Sequence, residues 1–135
     1  MKFLFDNNLS PHFARAMAAL SRQDPRVASI VHLREKFPGD TADATWMGTL
    51  VSEGDWIVVS HDHFRKHPLE REAFRRGGLV GFILEPNWSR QGYWLMAHNL
   101  VRWWPAIIEQ NSRVQGGAAF YVPWKFTGSG RFKQY

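Results

Sequence analysis

Short apolar runs and amphipathic stretches take turns along this chain, and their order predicts strand and helix in alternation. Lys2 to Phe5 is apolar and closes on Asp6-Asn7-Asn8, the pattern of a buried strand running into a polar loop. Ser10 stands as an N-cap with Pro11 at the first helical position, and Phe13, Ala16, Met17 and Leu20 follow at helix-face spacing. Val27 to Leu33 predicts a second strand, broken off by Phe37-Pro38-Gly39-Asp40. Thr41 is the expected cap of a second helix, with Asp43 in its first turn, where the helix dipole favours a carboxylate, and Trp46, Met47, Leu50 and Val51 along one face.

The second half repeats the alternation. Trp56 to Ser60 is a near-continuous apolar run, as expected of a strand buried on both faces of a parallel sheet, and it ends at His61-Asp62-His63. Pro68 to Arg76 predicts a short helix terminated by Gly77-Gly78, and Leu79 to Leu84 a fourth strand. Ser89 is the expected cap of a long helix carrying Tyr93, Ala97, Leu100, Val101, Trp104, Ile107 and Ile108, bent by Pro105 in its final third. Ala118 to Val122 is the fifth strand. From Pro123 onward no apolar period remains, so a mobile tail is expected.

Five strands alternating with four helices predict one three-layer α/β/α domain with a mostly parallel sheet over residues 1–122, followed by a basic and aromatic tail at 123–135. A length of 135 residues fits one core. The chain has no cysteine, which excludes disulfides and thiol nucleophiles and fits a reducing compartment, and no apolar run approaches a membrane span. A cytoplasmic protein is expected. Net charge is +5 but uneven: residues 1–62 carry −2 and residues 63–135 carry +7. Acids gathered at one point and rimmed by Arg and Lys suit a metal-dependent enzyme acting on a polyanion, although charge alone favours a scattered, solubilising surface.

Parallel α/β sheets bind ligands beyond the carboxyl ends of their strands. Asp6 follows the first strand, Asp62 follows the third, and Asp43 opens the helix that feeds the third, so topology brings all three to one edge, with Asp40 and Glu85 on loops there. A short acid at a strand end is singly an ordinary cap or turn former. Three together repel unless a cation neutralises them, and Mg²⁺ or Mn²⁺ is the natural hard cation for oxygen ligands. Such a site supports displacement at phosphorus.

Four segments carry a family resemblance: MKFLFDNNL from Met1 to Leu9, His32-Leu33-Arg34 ahead of Phe37-Pro38, Asp40-Thr41-Ala42-Asp43 into Trp46, and Val58-Val59-Ser60-His61-Asp62. Together they resemble a PIN-like domain, in the branch related to VapC-type toxins, with similarity reaching about Trp104. The resemblance implies a ribonuclease holding Mg²⁺ or Mn²⁺ on acidic residues, the toxin of a toxin–antitoxin pair, with a small antitoxin protein as partner. Matched position by position, Asp6 is the first-strand acid, Asp43 the acid of the second helix, and Asp62 the acid of the Thr/Ser-x-Asp strand end. A fourth family acid has no match, and Glu85 is only a positional candidate for it.

Around these acids, Asn7 and Asn8 are candidates to position substrate or to form a tight turn. His61, His63 and His67 flank Asp62 as phosphate contacts, or as a weak zinc pattern. Arg65, Lys66, Arg71, Arg75 and Arg76 form the densest basic stretch and read equally as an RNA contact and as a solvated helix face. Trp88 and Trp124 fall in expected loops, where they are candidates to stack on bases. Adjacent Trp103 and Trp104 differ by roughly 100° in direction on a helix, so one is expected to face outward and anchor a second copy or the antitoxin; the alternative is a tail folded back over it. Two other readings compete: a receiver-like phospho-acceptor domain, with Lys125 after strand five but without paired acids after strand one, and a catalytically silent binding module.

Overall fold

A computed structural model of the chain describes residues 1–61, 68–127 and 132–134, the side chains of residues 68–70 excepted. Strands β1 (Lys2–Phe5), β2 (Ser29–His32), β3 (Trp56–His61), β4 (Val80–Leu84), β5 (Ala118–Val122) and β6 (Lys133–Gln134) form one sheet in the order β2-β1-β3-β4-β5-β6. The first five are parallel, and β6 joins β5 antiparallel. Helices α1 (Pro11–Leu20), α2 (Leu33–Lys36), α3 (Asp43–Glu53), α4 (Pro68–Arg75) and α5 (Tyr93–Ser112) cover both faces.

Strand alternation assigns each residue to a face. Phe3, Phe5, Ile57, Val59, Phe82, Phe120 and Val122 pack against α1 and α5, where Trp103, Trp104, Ile107 and Ile108 meet them. Leu4, Val58, Ile83 and Ala119 pack against Leu33 of α2, Trp46, Met47 and Leu50 of α3, and Phe74 of α4. Both faces are buried, which is why the central strands read as unbroken apolar runs rather than alternating ones. The predicted three-layer α/β/α architecture is the one observed, with a sixth strand added.

Local boundaries differ where a polar side chain outcompetes periodicity. The second strand stops at His32 rather than Leu33, because the His32 ring accepts the Arg34 backbone N–H and starts α2. Helix α3 begins at Asp43 after Ala42; Thr41 is not its cap, since the Thr41 hydroxyl donates to the Pro38 carbonyl at 2.7 Å. Ser89 likewise does not cap the long helix: it donates to Pro86 O within a 3₁₀ turn (Pro86–Arg90), and α5 starts beyond Gly92. Helix α5 continues through Pro105 to Ser112.

The expectation of an outward Trp103 or Trp104 is corrected. Both are buried: the Trp104 indole donates to the Ser21 hydroxyl at 2.8 Å, and Trp103 lies under Phe126 and Phe132 at ring distances of 4.9 and 5.3 Å. Trp124, Phe126 and Phe132 supply core cover, as in the alternative of a tail folded back over the helix, and β6 pairs Lys133 with Tyr121. Trp88 is also no loop platform for bases, being fully buried with its indole donating to Val122 O, and half-buried Trp124 meets it edge-on at 5.0 Å. The exposed aromatics of α5 are Tyr93 and Trp94. Among the described residues, no helix is long and apolar enough to cross a membrane.

Candidate functional site

The carboxyl ends of β1 and β3 lie side by side, and the residues just past them are joined by a dense set of polar contacts. Asp6 continues the β1–β3 ladder, its N–H donating to Val59 O at 2.9 Å, and its side chain is 3% exposed. Such deep burial of a carboxylate requires donors. The Ser60 hydroxyl donates to Asp6 Oδ2 at 2.8 Å, and the Asn7 backbone N–H donates to Asp6 Oδ1 at 2.6 Å. These two bonds, one to each carboxylate oxygen, help to fix the group's orientation.

Asp6 and Ser60 share the sheet face covered by α2, α3 and α4, because Leu4 and Val58, two residues earlier on each strand, pack there. Asp43, half-buried at the first turn of α3, belongs to the same layer and accepts the Trp46 indole N–H at 3.0 Å. Asp62, the third acid of the resemblance, lies outside the described residues, as do His63, His67, Arg65 and Lys66. Among the described residues, no group of three or more His, Asp or Glu side chains is close enough to hold a metal ion. The carboxylate oxygens of Asp6 and Asp43 are of the type that the hard cations Mg²⁺ and Mn²⁺ take as ligands.

Asn7 and Asn8 are structural members of the loop. The Asn8 carboxamide donates to His61 O at 2.9 Å and accepts from His61 N at 3.3 Å. Asn7 Oδ1 accepts from Arg34 Nε at 2.6 Å. The turn itself closes through Leu9 N to Asp6 O at 3.0 Å. His61 turns to the α1/α5 side, one residue out of phase with Ser60, and its Nε2 is buried with no hydrogen-bond partner among the described residues.

His32 braces this loop from below. It is fully buried; its Nε2 lies 2.7 Å from Leu9 O, and its Nδ1 lies 3.1 Å from Arg34 N. A carbonyl only accepts and a backbone N–H only donates, so the neutral ring with its proton on Nε2 satisfies both. One imidazole thus ties the turn after Asp6 to the start of α2.

The remaining candidates separate. Glu85 is half-buried at the end of β4, on the same edge as Asp6, with its N–H donating to Val122 O. Asp40 is exposed in the loop before α3. Arg75 and Arg76 end α4 at the opposite edge, where the Phe74 and Arg75 carbonyls abut Gly117 ahead of β5. The length of a five-residue strand, roughly 16 Å, separates them from the carboxylates, and Arg76 is paired with Glu72 at 3.0 Å. A largely apolar groove of about 660 Å³, lined by Leu20, Val101, Trp104 and Pro105, lies between the end of α1 and α5, away from the acids.

Sequence reading passed over two members of the site. Ser60 was marked by the Thr/Ser-x-Asp pattern but not given the role of orienting Asp6. Arg34 was part of the His32-Leu33-Arg34 segment but was given no role, because a cation in a polar stretch looks like any surface charge. A family model described as a PIN-like domain matches residues 1–86, from β1 to just past β4 and including Asp6, Arg34, Asp43 and Asp62. No curated protein and no solved structure matches the chain.

Proposed function

This chain belongs to the PIN-like domain family, whose members are typically metal-dependent nucleases, and from that premise we propose that it is an endoribonuclease dependent on Mg²⁺ or Mn²⁺. The observation that carries the reading is Asp6: a buried carboxylate at the carboxyl end of an interior strand, aimed by Ser60 and Asn7, in the same layer as Asp43. Asp6, Asp43 and Asp62 are the assigned metal ligands in this reading. The ion would supply charge stabilisation at the phosphoryl group during hydrolysis of the phosphodiester.

The chain's own residues have defined tasks. Ser60 and the Asn7 N–H hold Asp6 in one orientation, so little reorganisation accompanies the reaction. Asn8 carries the backbone of His61, and with it the approach to Asp62. His32 braces the loop that bears Asn7 and Asn8. A role as the toxin of a toxin–antitoxin pair, with a small antitoxin protein or a second copy as partner, rests on the VapC-like character of the four segments quoted above. The deciding experiment is incubation of purified protein with single-stranded RNA in Mn²⁺, with and without chelator. Chelator-sensitive cleavage is expected; its absence would leave a silent member of the family.

A further inference from the structure

Arg34 stands apart from the other cations near the site. Its two neighbours in α2 are compensated, Glu35 by Arg15 at 3.5 Å and Lys36 by Glu53 at 2.9 Å. Arg34 itself has no carboxylate partner among the described residues, and its single side-chain bond runs from Nε to Asn7 Oδ1 at 2.6 Å. Asn7 in turn donates its backbone N–H to Asp6. The guanidinium is therefore pinned one residue from the buried carboxylate, at the sheet edge where the acids lie.

The way it is pinned matters. Anchoring through Nε leaves the terminal nitrogens unused, and their N–H groups form the fork that matches two oxygens of a phosphate. An exposed arginine ordinarily gives up side-chain freedom when it binds, and the short Asn7 bond together with the His32 brace removes part of that cost in advance. Arg75 and Arg76, the more conspicuous basic residues in the sequence, lie at the other edge.

We propose that Arg34 is a substrate-binding residue whose terminal N–H pair takes the non-bridging oxygens of an RNA phosphodiester beside Asp6. This inference rests on the nuclease reading. Binding and cleavage test it separately. Fluorescence anisotropy with a short, labelled, hydrolysis-resistant single-stranded RNA is measured in Mg²⁺ across a KCl series for wild type, Arg34→Ala, Arg34→Lys and Asn7→Ala. For Arg34→Ala the expected result is about tenfold weaker binding and a log–log salt slope shallower by about 0.7, one phosphate contact on a single strand. Arg34→Lys should restore the slope but not the affinity, since an ammonium cannot fork. Asn7→Ala should keep the slope and slow cleavage of unmodified RNA, because the charge stays while its aim is lost.

A wild-type slope in Arg34→Ala, with the melting temperature unchanged, overturns the assignment. Wild type that binds RNA yet cleaves none in Mg²⁺ or Mn²⁺ overturns the nuclease reading while the slope still judges Arg34. Wild type that neither binds nor cleaves overturns both.

Discussion

Asn8 and His61 face one another as though the sheet had one more rung: the carboxamide of one pairs with the backbone N–H and C=O of the other at 3.3 and 2.9 Å. The side chain imitates a peptide group beyond the point where β1 has already turned away. Asn8→Ala leaves both His61 groups to water and should cost about 1 kcal/mol in a denaturant titration, the net worth of a solvent-accessible bond pair. Cleavage of RNA should fall by more than that stability loss accounts for, since the segment leading to Asp62 loses its guide. Equal, small effects on both would reduce Asn8 to a turn former.

Asp6→Asn and Asp43→Asn should each lower metal-dependent RNA cleavage at least about a hundredfold, the scale of losing one group from a preorganised charged site. Asp6→Asn keeps an acceptor for the Asn7 N–H, with the Ser60 hydroxyl turned to accept from the new amide, and Asp43→Asn keeps one for the Trp46 indole, so both variants should fold. Undiminished cleavage in either variant would remove that residue from the site.

The Lys36–Glu53 pair gives the fold an acid-sensitive clasp. Hydrogen bonding from the Lys36 ammonium, helped by the Trp56 indole, holds the Glu53 carboxyl below its ordinary value of 4.5. A carboxyl lowered in the folded state adds stability that is in full force above its unfolded value and disappears as pH falls through the folded one. Glu53→Gln should therefore be less stable than wild type near neutrality and converge on it in acid. Parallel melting-temperature curves for the two proteins would refute the linkage.

Trp103 is covered on its outer side by Phe126 and Phe132. Trp103→Ala should cost about 3–5 kcal/mol, as for a large aromatic removed from a filled core, and removal of residues 123–135 should lower the melting temperature with it. A truncated chain as stable as the full one would show the cover to be dispensable.

Gly117 passes so near α4 that a β-carbon on it would lie 1.7 Å from the Phe74 carbonyl oxygen. Gly117→Ala should destabilise by about 2 kcal/mol, because helix and strand must separate. Gly39→Ala, with open space around it, should be nearly neutral and serves as the control.

These residues also show what the linear sequence conveyed. The five parallel strands were legible because a sheet buried on both faces writes itself as apolar runs, and the first helix because Ser10 and Pro11 mark its start. The same alternation predicts Asp6, after the first strand, and Asp43, opening the helix that feeds the third, at one edge of the sheet. Helix α2 was not legible: four residues carry no period, and its start depends on a buried imidazole whose second partner, Leu9, is 23 positions away. The position of Trp103 was misjudged for the same reason, since its cover comes from two phenylalanines on either side of Gly-Ser-Gly that share no spacing rule. Arg34 stood in a quoted segment without a role, and its place beside Asp6 became visible only through its contact with Asn7, 27 residues distant.

Strand β1 is flanked on both sides, by β2 and by β3, and Asp6 stands at its end. Local fluctuations that fray an edge strand do not reach it. Amide protons of Phe3 to Asp6 should then exchange with solvent only through global unfolding, among the slowest in the chain, while those of β6 exchange early. The backbone that carries Asp6 would in this sense keep the protein's slowest clock, set by the unfolding of the whole sheet.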